Sequence, residues 1–286
     1  MAAQRIGILH PGEMGVAIAA SARNSGNDVF WVSEGRSGAT GKRAFDAGLR
    51  DAGTLEKLCE LCSVIVSVCP PEFAEQTGDG VARHFFRGIY VDANAISPER
   101  TRRIARRLQD SGAQFVDGGI IGLPAASRGQ TWLYLSGDYA ASIAPYFSAG
   151  PIGVEVLAGD IGQASALKMC FAAYSKGSIA LCTAILAAAQ NLGVLEDLKR
   201  QWARNGPPLA DVERQISRAA TKAWRYVDEM HEIAATLQSA GVPGEFHAAA
   251  AEIFRRLENF KGSEGLSAKD VLDTLTSNTA DAKLQQ

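Results

Sequence analysis

The sequence predicts an α/β chain in two parts, a doubly wound parallel sheet over residues 1–159 and an all-helical domain over residues 160–286. Three observations predict it. A short apolar run at 6–9, a glycine turn, a helical stretch and a second apolar run at 29–32 make a strand–turn–helix–strand unit. Short β-branched runs then alternate with helix-like segments to about residue 157. Beyond residue 160 strand signals stop, and apolar residues recur at three- and four-residue steps.

The first unit carries the chemistry. The turn His10-Pro11-Gly12-Glu13-Met14-Gly15 opens a helix between two strands, as in the first half of a Rossmann-type dinucleotide-binding fold. Free N–H groups at the helix start meet a pyrophosphate there, and glycine lets the backbone approach it. In the fingerprint G-x-G-x-x-G, Gly12 and Gly15 hold the second and third glycine positions, and His10 holds the first. Pro11, Gly12, Glu13 and Met14 are therefore candidate cofactor contacts. A tight strand-to-helix connection without a ligand would use the same residues; the position between two strands favours the nucleotide.

At the end of the second strand, Ser33, Arg36, Ser37 and Lys42 offer hydroxyls and cations to a 2′-phosphate, whereas Glu34 suits a free ribose 2′-OH. NADP(H) is the expected cofactor and NAD the weaker fit. The run at 64–69 lacks polar alternation, as a parallel strand covered on both faces does. It ends at Cys69-Pro70-Pro71, at a strand's carboxyl end, where ligands of open α/β sheets bind. A strand at 88–92 leads to Asn94, a candidate contact to the nicotinamide ribose or amide, or a cap for the helix starting near Pro98. A strand at 114–117 runs into a glycine-rich segment at 118–122, and strands at 131–137 and 153–157 follow.

In the second part, residues 162–192 read as one long helix ended by Gly193. A second helix is expected over 211–240, with Ile216, Trp224, Met230 and Leu237 on one face, and a third over 245–260. Ser267 and Asp270 resemble a capping box for a short final helix, with a frayed tail after Leu275.

Composition excludes other classes. A net charge of −2 argues against a nucleic-acid partner, and the basic run at 100–107 lacks interleaved aromatics, so it reads as a solvated helix face. No cleavable signal segment precedes the first strand, and the apolar stretch at 179–189 is too short to span a bilayer, so no membrane association is expected. Five cysteines, an odd number, suggest reduced thiols in the cytoplasm. Cys59 and Cys62 lack further ligands nearby, and no metal site is expected.

Several segments together resemble the β-hydroxyacid dehydrogenase and 6-phosphogluconate dehydrogenase superfamily. Gly12-Glu13-Met14-Gly15 resembles the second half of its G-x-G-x-M-G turn, and residues 91–98 resemble its fifth-strand motif, with Asn94 where a serine is usual. Residues 117–123 resemble its substrate segment D-A-P-V-S-G-G, and Gly162 followed by Lys168 resembles its catalytic segment. The resemblance implies hydride transfer between NADPH and a small carbonyl/alcohol substrate of hydroxyacid type, with Lys168 as general acid/base. It implies substrate contacts at Gly119, Ile120, Ile121, Gly122, Phe171 and Ser175, and a homodimer formed through the helical domain.

The chain departs from the family pattern at Ile121, which stands at the substrate-segment serine, and at Phe171 or Ala172, where an asparagine is usual. The Gly-to-Lys spacing is two residues longer than the family's, and a later Lys-Asp pair would fall at Asp228-Glu229. An imine reductase acting on C=N, or a nucleotide-binding sensor without turnover, are the alternatives. Lys168 also fits the role on its own terms, since it lies in an otherwise apolar stretch, 164–173, where partial desolvation lowers an ammonium pKa. The other fate of such a lysine is to snorkel to solvent. Lys176 is the fallback acid, and His231 and His247 are left outside the core site.

Overall fold

Eight short runs, most of them apolar, form one sheet, whose structure we describe from a computed structural model covering residues 3–124 and 128–283. The elements in order are β1 (Arg5–Ile8), α1 (Glu13–Asn24), β2 (Asp28–Trp31), α2 (Gly38–Asp46), β3 (Arg50–Asp51), α3 (Leu55–Leu61) and β4 (Val64–Ser67). They continue with α4 (Ala74–Arg83), β5 (Ile89–Asp92), α5 (Pro98–Asp110), β6 (Gln114–Gly122), β7 (Thr131–Ser136), α6 (Ala140–Ile143) and β8 (Gly153–Val156). Helices follow: α7 (Gln163–Asn191), α8 (Leu195–Asn205), α9 (Leu209–Ala220), α10 (Ala223–Ser239), α11 (Glu245–Arg255) and α12 (Ala268–Lys283).

The strand order is β3-β2-β1-β4-β5-β6-β7-β8, parallel except between β6 and β7. Its first six strands follow the order of a dinucleotide-binding sheet, whose direction reverses between β1 and β4. Both faces are apolar and covered. Ile6, Ile8, Val64, Val66 and Val116 belong to one buried cluster, and Ile65, Tyr90 and Phe115 to the other. This is why β4 shows no polar alternation.

Two compact units divide the chain at Met169/Cys170, within α7. In the second unit, the expected helix over 211–240 is two helices, α9 and α10. Thr221 closes α9 by donating its hydroxyl to the Arg218 carbonyl, competing with the helical ladder at that point. Helix α8 buries no residue, so its pattern carries little core signal. The Ser267–Asp270 box forms as expected, with reciprocal bonds of 2.9 and 3.2 Å between the backbone of each and the side chain of the other. Helix α12 continues to Lys283 rather than ending near Leu275; residues 284–286 lie outside the described residues.

Two further features concern the first unit and α7. The glycine-rich segment 118–122 continues the strand expected at 114–117 as the second half of β6, because Gly118 to Gly122 pair antiparallel with Leu135 to Thr131. Helix α7 forms over the range expected for one long helix, well beyond the apolar stretch at 179–189. By length and composition alone it could cross a bilayer, a test that core helices of other proteins also pass.

Candidate functional site

The carboxyl ends of the central strands carry a row of buried polar residues. In register across the sheet stand Ser67 on β4, Asp92 on β5, Asp117 on β6 and Ser136 on β7, each 1% exposed or less. Asp117 accepts hydrogen bonds from Gly162 N (2.9 Å), Ser165 N (3.0 Å), Ser165 Oγ (2.6 Å) and Ser136 Oγ (3.0 Å). Ser136 Oγ in turn accepts from Ala164 N at 3.1 Å. Three backbone N–H groups at the start of α7 are thereby satisfied by the sheet. Burial raises the Asp117 carboxyl above its usual range, and these donors oppose the shift.

This anchoring fixes Lys168 beside the sheet. The α7 backbone crosses β6 so closely at Gly119 that a Cβ there would lie 2.5 Å from the Ala164 carbonyl oxygen and 3.2 Å from Lys168 Cβ. Gly119 is therefore required by contact with the helix that carries Lys168, whose side chain is half-buried. Ile120 points to the opposite face and packs in the core beneath the sheet, which removes its side chain from the expected substrate surface. Ile121 is half-buried and Gly122 exposed at the strand's end. Phe171 and Ser175 belong to the second unit, where Phe171 is half-exposed.

The nucleotide turn has the features of a phosphate cradle. No side chain caps α1 at Gly12. A Cβ at Gly12 would meet no atom within 4 Å, and its backbone angles are ordinary, so nothing in the protein requires glycine there. What glycine leaves is room for a ligand against the helix start. Gly15 differs, since a Cβ would sit 2.2 Å from the His10 carbonyl oxygen. Pro11 is buried and its carbonyl accepts from Arg43 at 3.2 Å, Glu13 is exposed, and the Met14 side chain packs on the core. These residues fit a dinucleotide pyrophosphate through the backbone of the turn.

Beside the turn lies a pocket of about 470 Å³ lined by His10, Val32, Arg36, Pro70, Phe73 and Thr77, among others. Arg36 makes no ion pair with a described residue, and burial lowers its guanidinium. Ser33 is half-buried near it. Ser37 and Lys42 are engaged elsewhere: Ser37 caps α2 by accepting from Thr40 N at 3.3 Å, and Lys42 pairs with Asp46 at 2.7 Å. Of the four expected 2′-phosphate groups, these two are thus committed to α2. Pro71 is buried, and burial pushes the Cys69 thiol up to about 11, so it is neutral.

Asn94 does not cap α5, because Ser97 holds that position. Its side chain ties two strand ends together, accepting from Cys69 N at 2.7 Å and donating to Ser67 Oγ at 3.1 Å. Lys176, in the second unit, pairs with Glu229 at 2.7 Å, and both side chains are largely buried. Cys62 closes α3, and burial raises the thiols of Cys59 and Cys62 to about 11 and about 12.

The polar row is what the sequence reading passed over. Its signal was available, since two otherwise apolar parallel strands each carry an aspartate at or near a carboxyl end. Asp92 is fully buried. Its Oδ1 accepts from Asn94 N at 3.0 Å and its Oδ2 is enclosed without a partner. Burial, with Asp117 adding, pushes its carboxyl up to about 7.

The turn, the strand order and the pocket define a dinucleotide-binding protein. Residues 5–147 match the NAD binding domain of 6-phosphogluconate dehydrogenase, and the chain belongs to that family. Residues 189–257 match a domain of unknown function. The conserved protein MTH1747, of unknown function and described as structurally similar to 3-hydroxyacid dehydrogenases, is 29% identical with a TM-score of 0.66. That alignment covers 90% of this chain and 97% of that one. A 3-hydroxyisobutyrate dehydrogenase from Mycobacterium tuberculosis shares 16% identity and the fold, with a TM-score of 0.71 over 96% of this chain and 99% of its own. A reductive aminase from Aspergillus terreus solved with NADPH has a TM-score of 0.55 at 16% identity, over 95% of this chain and 99% of its own.

The raised Asp92 carboxyl has a defined consequence for stability. Its folded pKa, about 7, lies above its unfolded value near 3.8, so its contribution is fully present below about pH 4 and is lost as pH rises through 7. Asp92→Asn, which keeps an acceptor for Asn94 N but cannot ionise, is expected to remove a slope of about 1.4 kcal/mol per pH unit across that window. Denaturant unfolding of both proteins at pH 5 and pH 7.5 measures this. Equal pH dependence in the two would show that Asp92 does not titrate there.

Proposed function

We propose that the protein is an NADP(H)-dependent oxidoreductase that transfers a hydride between NADPH and a small, hydroxyacid-like carbonyl/alcohol pair, with Lys168 as general acid/base. The observation that carries this reading is the contact between Gly119 and α7, which holds Lys168 over the Gly119 face of β6, the strand that carries the substrate segment. NADPH, when bound, supplies the hydride. The Gly12 turn binds the pyrophosphate through its backbone, Arg36 takes the 2′-phosphate, and Lys168 holds the proton exchanged with the substrate oxygen. Asp117 acts as a positioning residue, since it fixes the start of α7 one turn before Lys168.

Reduction of C=N is the second reading. Ile121 favours it, because an apolar side chain at that position offers no hydrogen bond to a hydroxyacid carboxylate. The likeness to a reductive aminase is consistent with it.

We further propose a cytoplasmic homodimer. The five cysteines are unpaired, which suits a reducing compartment. On α7, Tyr174, Leu181 and Ile185 are exposed at steps of seven and four residues, Leu192 just beyond its end is exposed too, and only 33% of the helix's most apolar window is buried. A second copy of this helix would cover such a stripe. Sedimentation at micromolar concentration is expected to give twice the chain mass; a monomer would remove the dimer.

Two substitutions test the assignments of role. Lys168→Met retains the apolar stem and is expected to slow turnover by about 100- to 10,000-fold while NADPH affinity stays unchanged. Near-normal turnover would place the acid elsewhere. Arg36→Ala is expected to weaken NADPH by about 10- to 100-fold and NADH hardly at all, because the lost charge-assisted bonds go to the 2′-phosphate alone. Fluorescence titration with both nucleotides measures it, and equal losses would contradict the role.

A further inference from the structure

His10 occupies the position of the first fingerprint glycine, yet the turn does not need glycine there. Among the described residues, the only non-glycine with positive φ is Phe85, so the His10 backbone is open to any L-residue. Its carbonyl does the work of the turn, accepting from Gly12 N at 2.8 Å and setting the contact that requires Gly15. The imidazole is left over from this, and it lines the same pocket as Arg36.

The two ring nitrogens are in different situations. Nδ1 is enclosed and has no hydrogen-bond partner. Nε2 is not among the enclosed unpartnered atoms, and it makes no hydrogen bond with a described residue, so it is the nitrogen that a ligand in the pocket can reach. Burial, with the Arg36 charge adding, lowers the imidazole pKa to about 4. The ring is therefore neutral at physiological pH and carries one proton. Phosphate oxygens are acceptors, so only the Nε2–H tautomer pairs with one. A neutral donor also adds no second cation beside Arg36, which would repel it.

We propose that His10 is a specificity-determining residue, whose Nε2–H and the Arg36 guanidinium together clamp the 2′-phosphate of NADPH. This rests on the NADP(H) reading above and adds a second donor, from the end of β1, to the one from the end of β2. The glycine missing from the fingerprint is, on this account, exchanged for selectivity between the two nicotinamide dinucleotides.

The test is the affinity of His10 variants for NADPH and NADH by calorimetry, with no turnover needed. His10→Ala is expected to weaken NADPH by about ten-fold and leave NADH nearly unchanged, as for loss of one hydrogen bond to a charged group. His10→Gln, whose side-chain amide can present N–H near the Nε2 position, is expected to recover most of the loss. Equal losses for both nucleotides would place His10 on the shared ribose or pyrophosphate and overturn the clamp; no loss for either would also overturn it. Should the alanine variant fail to fold, ¹⁵N NMR of the wild-type imidazole decides: NADPH is expected to shift Nε2 and fix the Nε2–H tautomer, and NADH to leave it unmoved. Identical responses to both would contradict the proposal. If the wild-type protein binds neither nucleotide, or prefers NADH, the NADP(H) reading itself fails, a result distinct from any outcome with the variants.

Discussion

The structure of the first unit depends on one buried carboxylate. Asp117 sits at the carboxyl half of the sheet and takes two backbone N–H groups and one hydroxyl from the start of α7, with a fourth bond from Ser136 on the next strand. Each unpaired group in such a site would cost about 1–3 kcal/mol, so the register of α7 against β6 is strongly specified. The approach this produces is too close for any side chain at position 119. Thr101 Oγ1 lies 2.9 Å from Ser165 Oγ and brings α5 into the same network. The placement of the Lys168 backbone against β6 thus follows from polar contacts one turn earlier in α7.

The nucleotide side is built on a different principle. At Gly12 the protein keeps space empty, whereas at Gly15 it closes the gap between helix and strand. Two glycines three residues apart in one turn therefore serve unlike ends, and only the first concerns a ligand. The adjacent strand ends are tied by Asn94, which accepts from Cys69 N and donates to Ser67 Oγ.

Strands whose patterns arise from burial on both faces were legible, as with β4, because a continuous β-branched run has few other uses. The two-residue edge strand β3 was not, since Arg50 and Asp51 are exposed and carry no hydrophobic signal. The second half of β6 carries no strand signal because its glycines mark close backbone approach, Gly119 to α7 and Gly122 to the start of β7, instead of a turn. The break between α9 and α10 was hidden by an apolar period that continues across Thr221 and Lys222. At the site, the glycine turn could be found from spacing, while the bonds that the Ser37 hydroxyl and the Lys42 ammonium make within α2 leave no mark of their own in the sequence. The partnership of Asp117 with residues 136, 162 and 165 joins segments distant in sequence and leaves no local pattern.

The central claim is that the Gly119 face of β6, with Lys168 beside it, is where the nicotinamide and substrate react. A crystal structure with NADP⁺ and a substrate analogue tests this most directly. The account predicts the pyrophosphate on the Gly12 turn, the nicotinamide ring beside Gly119, and Lys168 Nζ within hydrogen-bond reach of the analogue's oxygen. A nicotinamide ring lying away from Gly119, or one whose reactive face is covered by protein, would contradict it.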